Sequence, residues 1–253
     1  MRFPMNNKSR LVLFIGSTCI AITAIYAIFS VYAPHFRNGS WPVGMYPEPS
    51  LKEYPVRGID LSHHNGKIDL TAITDSIDFI YLKASEGATW RDPMYDTYYS
   101  QAKDAGIPVG AYHFFNFTID GRLQAENFLW HTRHHSLDLQ PVIDVETHTQ
   151  SSLPDSKVID RLTDMITALR DAGYNPIIYT HRYGVERFIE KLKITPKPKI
   201  WISSFTDPPL PENVDWIIWQ YSNVGSMPGI TGNVDLNVAR NRNLSEDIII
   251  QKK

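Results

Sequence analysis

The stretch Gln140–His148 reads QPVIDVETH. Pro141, Val142, Ile143 and Val145 make the short apolar run of a buried strand. Asp144 and Glu146 break it, and residues i and i+2 of a strand emerge on one face. Two carboxyl groups therefore leave one apolar strand side by side. A buried unpaired carboxylate is costly, and a like-charged neighbour raises the cost. Such a pair points either to acid–base chemistry or to a structural ion pair, which writes the same pattern.

The chain around it alternates between two periods. Apolar runs at 56–62, 77–85, 107–115, 140–146 and 175–181 read as strands. Helical patterns at 93–106, 120–135, 155–173 and 183–192 lie between or after them. Gly106 and Gly173 stand where helices close, and Asp155 or Ser156 is the expected cap of the third helix. In that helix Val158, Leu162, Met165, Ile166 and Leu169 share one face. Three further strands, 199–205, 215–222 and 234–239, follow with loops in place of helices. Five βα units and three helix-poor strands suggest a parallel sheet that closes on itself, an eight-stranded α/β barrel, with an open doubly wound sheet as the alternative. Polar residues recur where the strands end: Asp60, Lys83, Glu86, His113, Asp144, Glu146, Thr180, His181, Ser203, Gln220, Asp235 and Asn237. In a barrel these ends converge on the face that carries active sites.

The N-terminus is a separate element. Leu11–Ala33 carries no charge and follows Arg2, Lys8 and Arg10. At about 1.5 Å per residue it is long enough to cross a bilayer core of about 30 Å. A cleavable signal peptide has a shorter apolar region, and Pro34 obstructs a cut after Ala33. The favoured reading is an uncleaved signal anchor, with residues 1–10 in the cytoplasm and the remainder periplasmic or extracellular. Residues 34–54, with Pro34, Pro42, Pro47 and Pro49, read as a tether. The folded barrel is expected over 55–246, with a tail from 247 to 253. Cys19 is the single cysteine and lies in the anchor, so no disulfide is available to the domain.

Composition excludes some functions. The 253 residues are 43% hydrophobic and 21% charged with a net charge of -2, so there is no basic footprint for nucleic acid. No nucleophile elbow and no glycine-rich phosphate loop occurs. Aromatics reach 12%, which suits either a large core or a cleft with aromatic walls. Paired carboxylates suit glycoside hydrolysis, with one acid protonating the leaving oxygen and a second carboxylate as nucleophile, base or electrostatic support. The donor must be neutral near working pH, and an ionised Asp144 beside Glu146 would hold its proton on. His63, His64, His113, Asp144 and Glu146 offer a metal set on paper. Adjacent His63 and His64 in one strand would point apart, so no metal and no cofactor is expected.

The motifs RGIDLSHHNGKIDL, FIYLKASEGATWRDPMY, AGIPVGAYHFF, QAENFL, PVIDVE, PIIYT, IWISSF, IIWQYS and PGITGNVDLNVA, in that order over about 56–239, closely resemble glycoside hydrolase family 25, the Chalaropsis-type lysozymes or N-acetylmuramidases. The resemblance implies an irregular TIM-like (β/α)5(β)3 barrel that cleaves the β-1,4 bond after N-acetylmuramic acid in peptidoglycan with retention. It makes Glu146 the general acid and Asp144 the carboxylate that supports the substrate's acetamido group. Asp60 and Asp235 become further acids of the cleft, and Tyr112 a neighbour of the reaction centre. Lys83, Glu86, His113, Phe115, Tyr179, Trp201, Trp219, Gln220 and Asn237 complete the expected substrate contacts. Phe205 stands where many members have Tyr, and His181 where many have Ser, which bears on subsite preference. The expected partners are glycan strands and, through the anchor, the membrane, with the chain a monomer. The alternative is a catalytically silent peptidoglycan-binding module on the same fold, against which the presence of all four acids speaks.

Overall fold

The computed structural model describes residues 49–50, 52–147, 153–205 and 214–251. The expected anchor and most of the tether lie outside them. Among the described residues no helix is long and apolar enough to cross a membrane.

The described residues form nine strands: β1 (Arg57–Leu61), β2 (Phe79–Glu86), β3 (Trp90–Arg91), β4 (Val109–Phe114), β5 (Val142–Asp144), β6 (Ile177–His181), β7 (Ile200–Ser203), β8 (Trp216–Gly225) and β9 (Val234–Ala239). Their hydrogen-bonded order is β1-β9-β8-β7-β6-β5-β4-β2-β3, and β1 also pairs with β2. Eight strands thus close a barrel, and β3 folds back antiparallel on the end of β2. Helices α1 (Tyr95–Asp104), α2 (Gly121–Thr132), α3 (Asp155–Asp171) and α4 (Arg182–Arg187) pack outside.

Four details differ from the sequence reading. The sheet is not wholly parallel, because β9 runs antiparallel to both β1 and β8. Only residues 226–233 join β8 to β9, fewer than the dozen or so that a parallel crossover needs. The first βα unit has no α-helix; the turns His63–Asn65 and Leu70–Ala72 are 3-10. Neither Asp155 nor Ser156 caps α3, whose N-cap position is Pro154. Asp155 is instead held by a two-pronged pair with Arg187 (Arg187 Nε to Asp155 Oδ2 3.0 Å, Nη2 to Oδ1 2.6 Å), which ties α3 to α4. The segment expected as a tail from 247 continues the barrel's base: Ile248 is buried, and Ile249 bridges to Leu139. The helical expectations otherwise hold. The five-residue apolar face of α3 is fully buried, and Gly106 and Gly173 close α1 and α3 at φ +73 and +93.

Strand parity sorts the core into two clusters. Phe79, Tyr81, Val142, Ile177, Trp201 and Ile218 point inward and fill the barrel. Ile80, Leu82, Ile143, Ile178 and Ile202 alternate with them and pack outward, in one cluster with Val158, Leu162 and Ile166 of α3. The inward aromatics need room that neighbouring strands supply. Gly58 stands opposite Phe79, and Gly110 opposite Tyr81. A Cβ on Gly58 would lie 2.3 Å from the Phe79 ring, and one on Gly110 2.2 Å from the Tyr81 ring. Those rings are fully buried and cannot retreat. Gly110→Ala is therefore expected to lower unfolding free energy by about 2 kcal/mol or more, at the upper part of the range for overpacked cores, read from denaturant titration. An unchanged midpoint would show that the barrel interior yields.

Candidate active site

Above the apolar filling, inward positions turn polar. Asp60 from β1, Tyr112 from β4, Asp144 from β5, Tyr179 from β6, Trp201 from β7, Gln220 from β8 and Asp235 from β9 line one cavity with Glu146. It measures about 350 Å³, counting space open to solvent. β5 itself ends at Asp144, two residues before Glu146. Val145 N still donates to Tyr179 O (2.9 Å), so the alternation persists and both carboxyls reach the cavity.

Asp60 is only 8% exposed and is held by two amides. Gln220 Nε2 donates to Asp60 Oδ2 at 3.0 Å and Asn237 Nδ2 at 2.8 Å. Each amide is itself oriented: Tyr179 O–H donates to Gln220 Oε1 (2.7 Å), and Trp201 Nε1–H to Asn237 Oδ1 (2.9 Å). The Asp60 carboxyl also hydrogen-bonds that of Asp235, its partner across the β1–β9 pair. Two amide donors favour charge on Asp60, so Asp235 is the partner that keeps the proton. Burial, then the charge of Asp60, pushes Asp235 up to about 9. Burial alone raises Asp60 above the ordinary carboxylate range, and its hydrogen bonds pull it back.

Asp144 is 7% exposed, and its Oδ1 has no hydrogen-bond partner among the described residues. Burial first, then the charge of Glu146, raises its pKa well above the usual value, while Lys83 opposes them. The closed barrel buries Asp144 more deeply than Glu146, which lies partly exposed beyond the strand. Burial also raises Tyr112 and Tyr179 well above the ordinary phenol value, aided by neighbouring carboxylates, so both remain O–H groups.

Other expected contacts fall elsewhere. His113, Phe115 and Trp219 have the opposite parity to Tyr112 and Gln220 and point out of the barrel. His113 lies between Ser85 Oγ (2.8 Å to Nδ1) and Gln124 Oε1 (3.2 Å to Nε2); burial lowers its pKa to about 3, so it is neutral. Phe115 is in the outer core, and Trp219, also there, donates from Nε1 to Ser204 O. Asn237 is 1% exposed and acts on Asp60 and Trp201. Lys83 points inward but is paired with Glu86 (Nζ to Oε2 2.8 Å) under the rim. His63 and His64 do not lie in a strand. Their 3-10 turn brings the rings to 3.9 Å between centroids, and His63 Nδ1 is 2.8 Å from Asp92 Oδ2. Among the described residues no group of three or more His, Cys, Asp or Glu is placed to hold a metal ion.

A wider cleft adjoins the cavity and shares Glu146, Tyr179, Gln220 and Asp235 with it. Thr147, His181, Arg182, Ser203, Phe205 and Asn223 line the remainder. Thr147 Oγ1 and His181 Nε2 are 2.8 Å apart. Arg182, Asn223 and Thr147 escaped the sequence reading, since loop and helix-start positions carry no periodic signal. His181 and Phe205, the two departures noted above, both lie here.

A family model described as Glycosyl hydrolases family 25 matches residues 59–230. The chain belongs to that family. A family 25 glycosyl hydrolase from Bacillus anthracis superposes with a TM-score of 0.70 at 29% identity, covering 80% of this chain and 96% of that one. The autolytic lysozyme of Clostridium acetobutylicum is 29% identical over 184 residues, 72% of this chain. This chain spans only 55% of that relative's length. Lysozyme M1 of Streptomyces globisporus is 30% identical over 199 residues, 72% of this chain and 67% of its own.

The family 25 site stores stability cost in its acids. Asp235 carries a proton in the fold up to about pH 9 and gives it up near pH 3.9 when unfolded. Its contribution is complete below the unfolded value and is lost as pH rises through the folded one. Asp235→Asn, whose amide can still donate to Asp60, removes that dependence. The variant is expected to melt above wild type at pH 8 and with little difference at pH 4, measured by calorimetry at both. An advantage that is the same at both pH values would remove the proton from Asp235.

Proposed function

We propose that this family 25 protein is a peptidoglycan hydrolase, an N-acetylmuramidase that cleaves the β-1,4 bond between N-acetylmuramic acid and N-acetylglucosamine. The observation that carries the reading is the convergence of Asp60, Asp144, Glu146 and Asp235 on one small cavity, with the Asp144 Oδ1 left unpartnered among the described residues. A silent binding module has no use for so costly a cluster. Two relatives bear the name lysozyme, which agrees with this substrate.

Glu146 is the general acid. The acetamido N–H of the muramyl residue donates to Asp144 Oδ1, the position that lacks a donor. That bond favours the charged form of Asp144, and the proton the two acids share passes to Glu146. Glu146 then protonates the glycosidic oxygen as the C1–O bond breaks. The acetamido oxygen attacks C1 from the opposite face and forms a cyclic oxazolinium. Water, deprotonated by Glu146, opens it with retained configuration, and the acid regains its proton. Asp60 and Asp235 with Tyr112 border the sugar and hold the field in which the positive charge develops.

Glu146→Gln keeps the shape and removes the proton. It is expected to fold as wild type and to clear purified peptidoglycan about 10²–10⁴-fold more slowly, with the wild-type product appearing first as the β anomer by NMR. Wild-type clearing by the variant would remove Glu146 from the reaction.

The uncharged segment Leu11–Ala33 supports a second part of the reading. It anchors the chain in the cytoplasmic membrane with the barrel on the outer side, where peptidoglycan lies. The full-length chain is then expected in the membrane fraction, released by detergent and retained in high salt. A soluble protein starting near Pro34 would mean a cleaved signal.

A further inference from the structure

One cluster at the barrel mouth has no part in the reaction above. Trp90 is 37% exposed although it is a large apolar ring. It does not hang loosely. Its strand β3 pairs with the end of β2, with Trp90 opposite Glu86. Its carbonyl accepts from Asn127 Nδ2 at 3.2 Å. The His63 ring lies against it, 5.2 Å between centroids, and His63 stacks on His64. Asp92, 1% exposed, fixes this arrangement from beneath. It accepts from His63 N (3.0 Å), contacts His63 Nδ1 (2.8 Å), and accepts from Met94 N (2.9 Å). An exposed ring packed against an imidazole that a buried carboxylate fixes is pre-organised for a ligand, because the cost of ordering it has been met in the free protein.

Strand register connects this shelf to the chemistry. Trp90 stands beside Glu86, Glu86 beside Phe114, and Phe114 beside Asp144. The shelf is therefore three strand steps from the catalytic carboxylate, each about 4.8 Å. A chain of linked hexoses covers that span and a single ring does not. Between the two ends the Lys83 ammonium lies 4.8 Å from the centre of the Trp90 ring and 4.7 Å from that of Phe114. The path is aromatic at both ends with a cation between, and the wider cleft leaves the cavity on the β6–β8 side instead.

We propose that Trp90, with His63 and His64, forms an outer subsite that stacks a remote N-acetylhexosamine ring of the same glycan strand whose scissile bond lies at Glu146. The flat C–H face of the sugar covers the indole, and the imidazole edges meet its hydroxyls, a division of labour that suits amphipathic aromatic rings. This rests on the hydrolase reading in that it takes the ligand to be a glycan strand, and it makes the enzyme favour long strands over short ends.

Full-length Glu146→Gln protein in detergent is titrated with soluble, peptide-free glycan strands fractionated by length, alone and with Trp90→Ala or Trp90→Phe added. Binding to long strands is expected to weaken about tenfold with Trp90→Ala, the effect of about 1.4 kcal/mol. Trp90→Phe restores most of it, and binding of the disaccharide does not change. Equal affinity of Trp90→Ala and its parent at every length overturns the subsite. So does an equal loss for disaccharide and long strand, or no binding of long strands by the parent. Clearing of peptidoglycan by wild type is scored separately. If wild type clears the wall and Trp90→Ala binds strands as its parent does, the shelf fails and the hydrolase stands. If wild type does not clear it but long strands bind through Trp90, the hydrolase fails and the shelf stands.

Discussion

A carboxylate in the middle of a barrel has to be held, and Asp60 shows how. Two side-chain amides donate to one of its oxygens, and each amide is locked by an aromatic donor behind it. The chain Tyr179–Gln220–Asp60–Asn237–Trp201 links β6, β8, β1, β9 and β7 through side chains, above the backbone ladder that already joins them. Every member is satisfied, which makes such a network rigid rather than weak. The two amide donors favour the charged form of Asp60, so of the pair Asp235 is the one that holds its proton more firmly.

The network sits where it does because the filling below it is apolar. Phe79, Tyr81 and Trp201 occupy the barrel's middle, with Tyr81 and Trp201 ring centres 5.0 Å apart. These rings form an apolar floor beneath the cavity. Charges above such a floor interact strongly, since the medium around them screens poorly. Asp144 feels both the floor and Glu146. Lys83, inward on β2, is the cation that opposes them. Four acidic side chains line the cavity, a setting that stabilises positive charge developing beside them.

Much of this was legible from periodicity. The apolar face of α3 and the bounds of most strands followed from counting apolar positions, since burial on one side writes a period into the sequence. The carboxyl pair was legible because parity two is unambiguous over three residues. The outward placement of His113, Phe115 and Trp219 has one cause. The resemblance implied them as substrate contacts, and strand parity separates them from Tyr112 and Gln220. The paired rings of His63 and His64 were hidden because a 3-10 turn after a strand has no strong pattern. Trp90 was invisible for the opposite reason. A two-residue flap such as β3 is shorter than any period, so its one exposed ring looked like any other aromatic. The burial difference between Asp144 and Glu146 depends on where β5 stops, and the apolar run continues one residue past that point.

The direction of β9 was also beyond reach, and the site depends on it. Asp235 is the second residue of β9, while Asp60 is the fourth of β1. Antiparallel pairing sets the start of one strand against the end of the other and puts these two residues opposite each other. A parallel β9 would carry its start to the base of the barrel and lift Val238 and Ala239 to the mouth. Asp60 would then lose the carboxyl that shares its proton. The short 226–233 connection, too brief for a helical crossover, therefore does more than close the sheet. It reverses the last strand and so delivers an acid to a cavity that seven parallel strands leave incomplete. The departure from a regular parallel barrel and the assembly of the acidic cluster are one structural event.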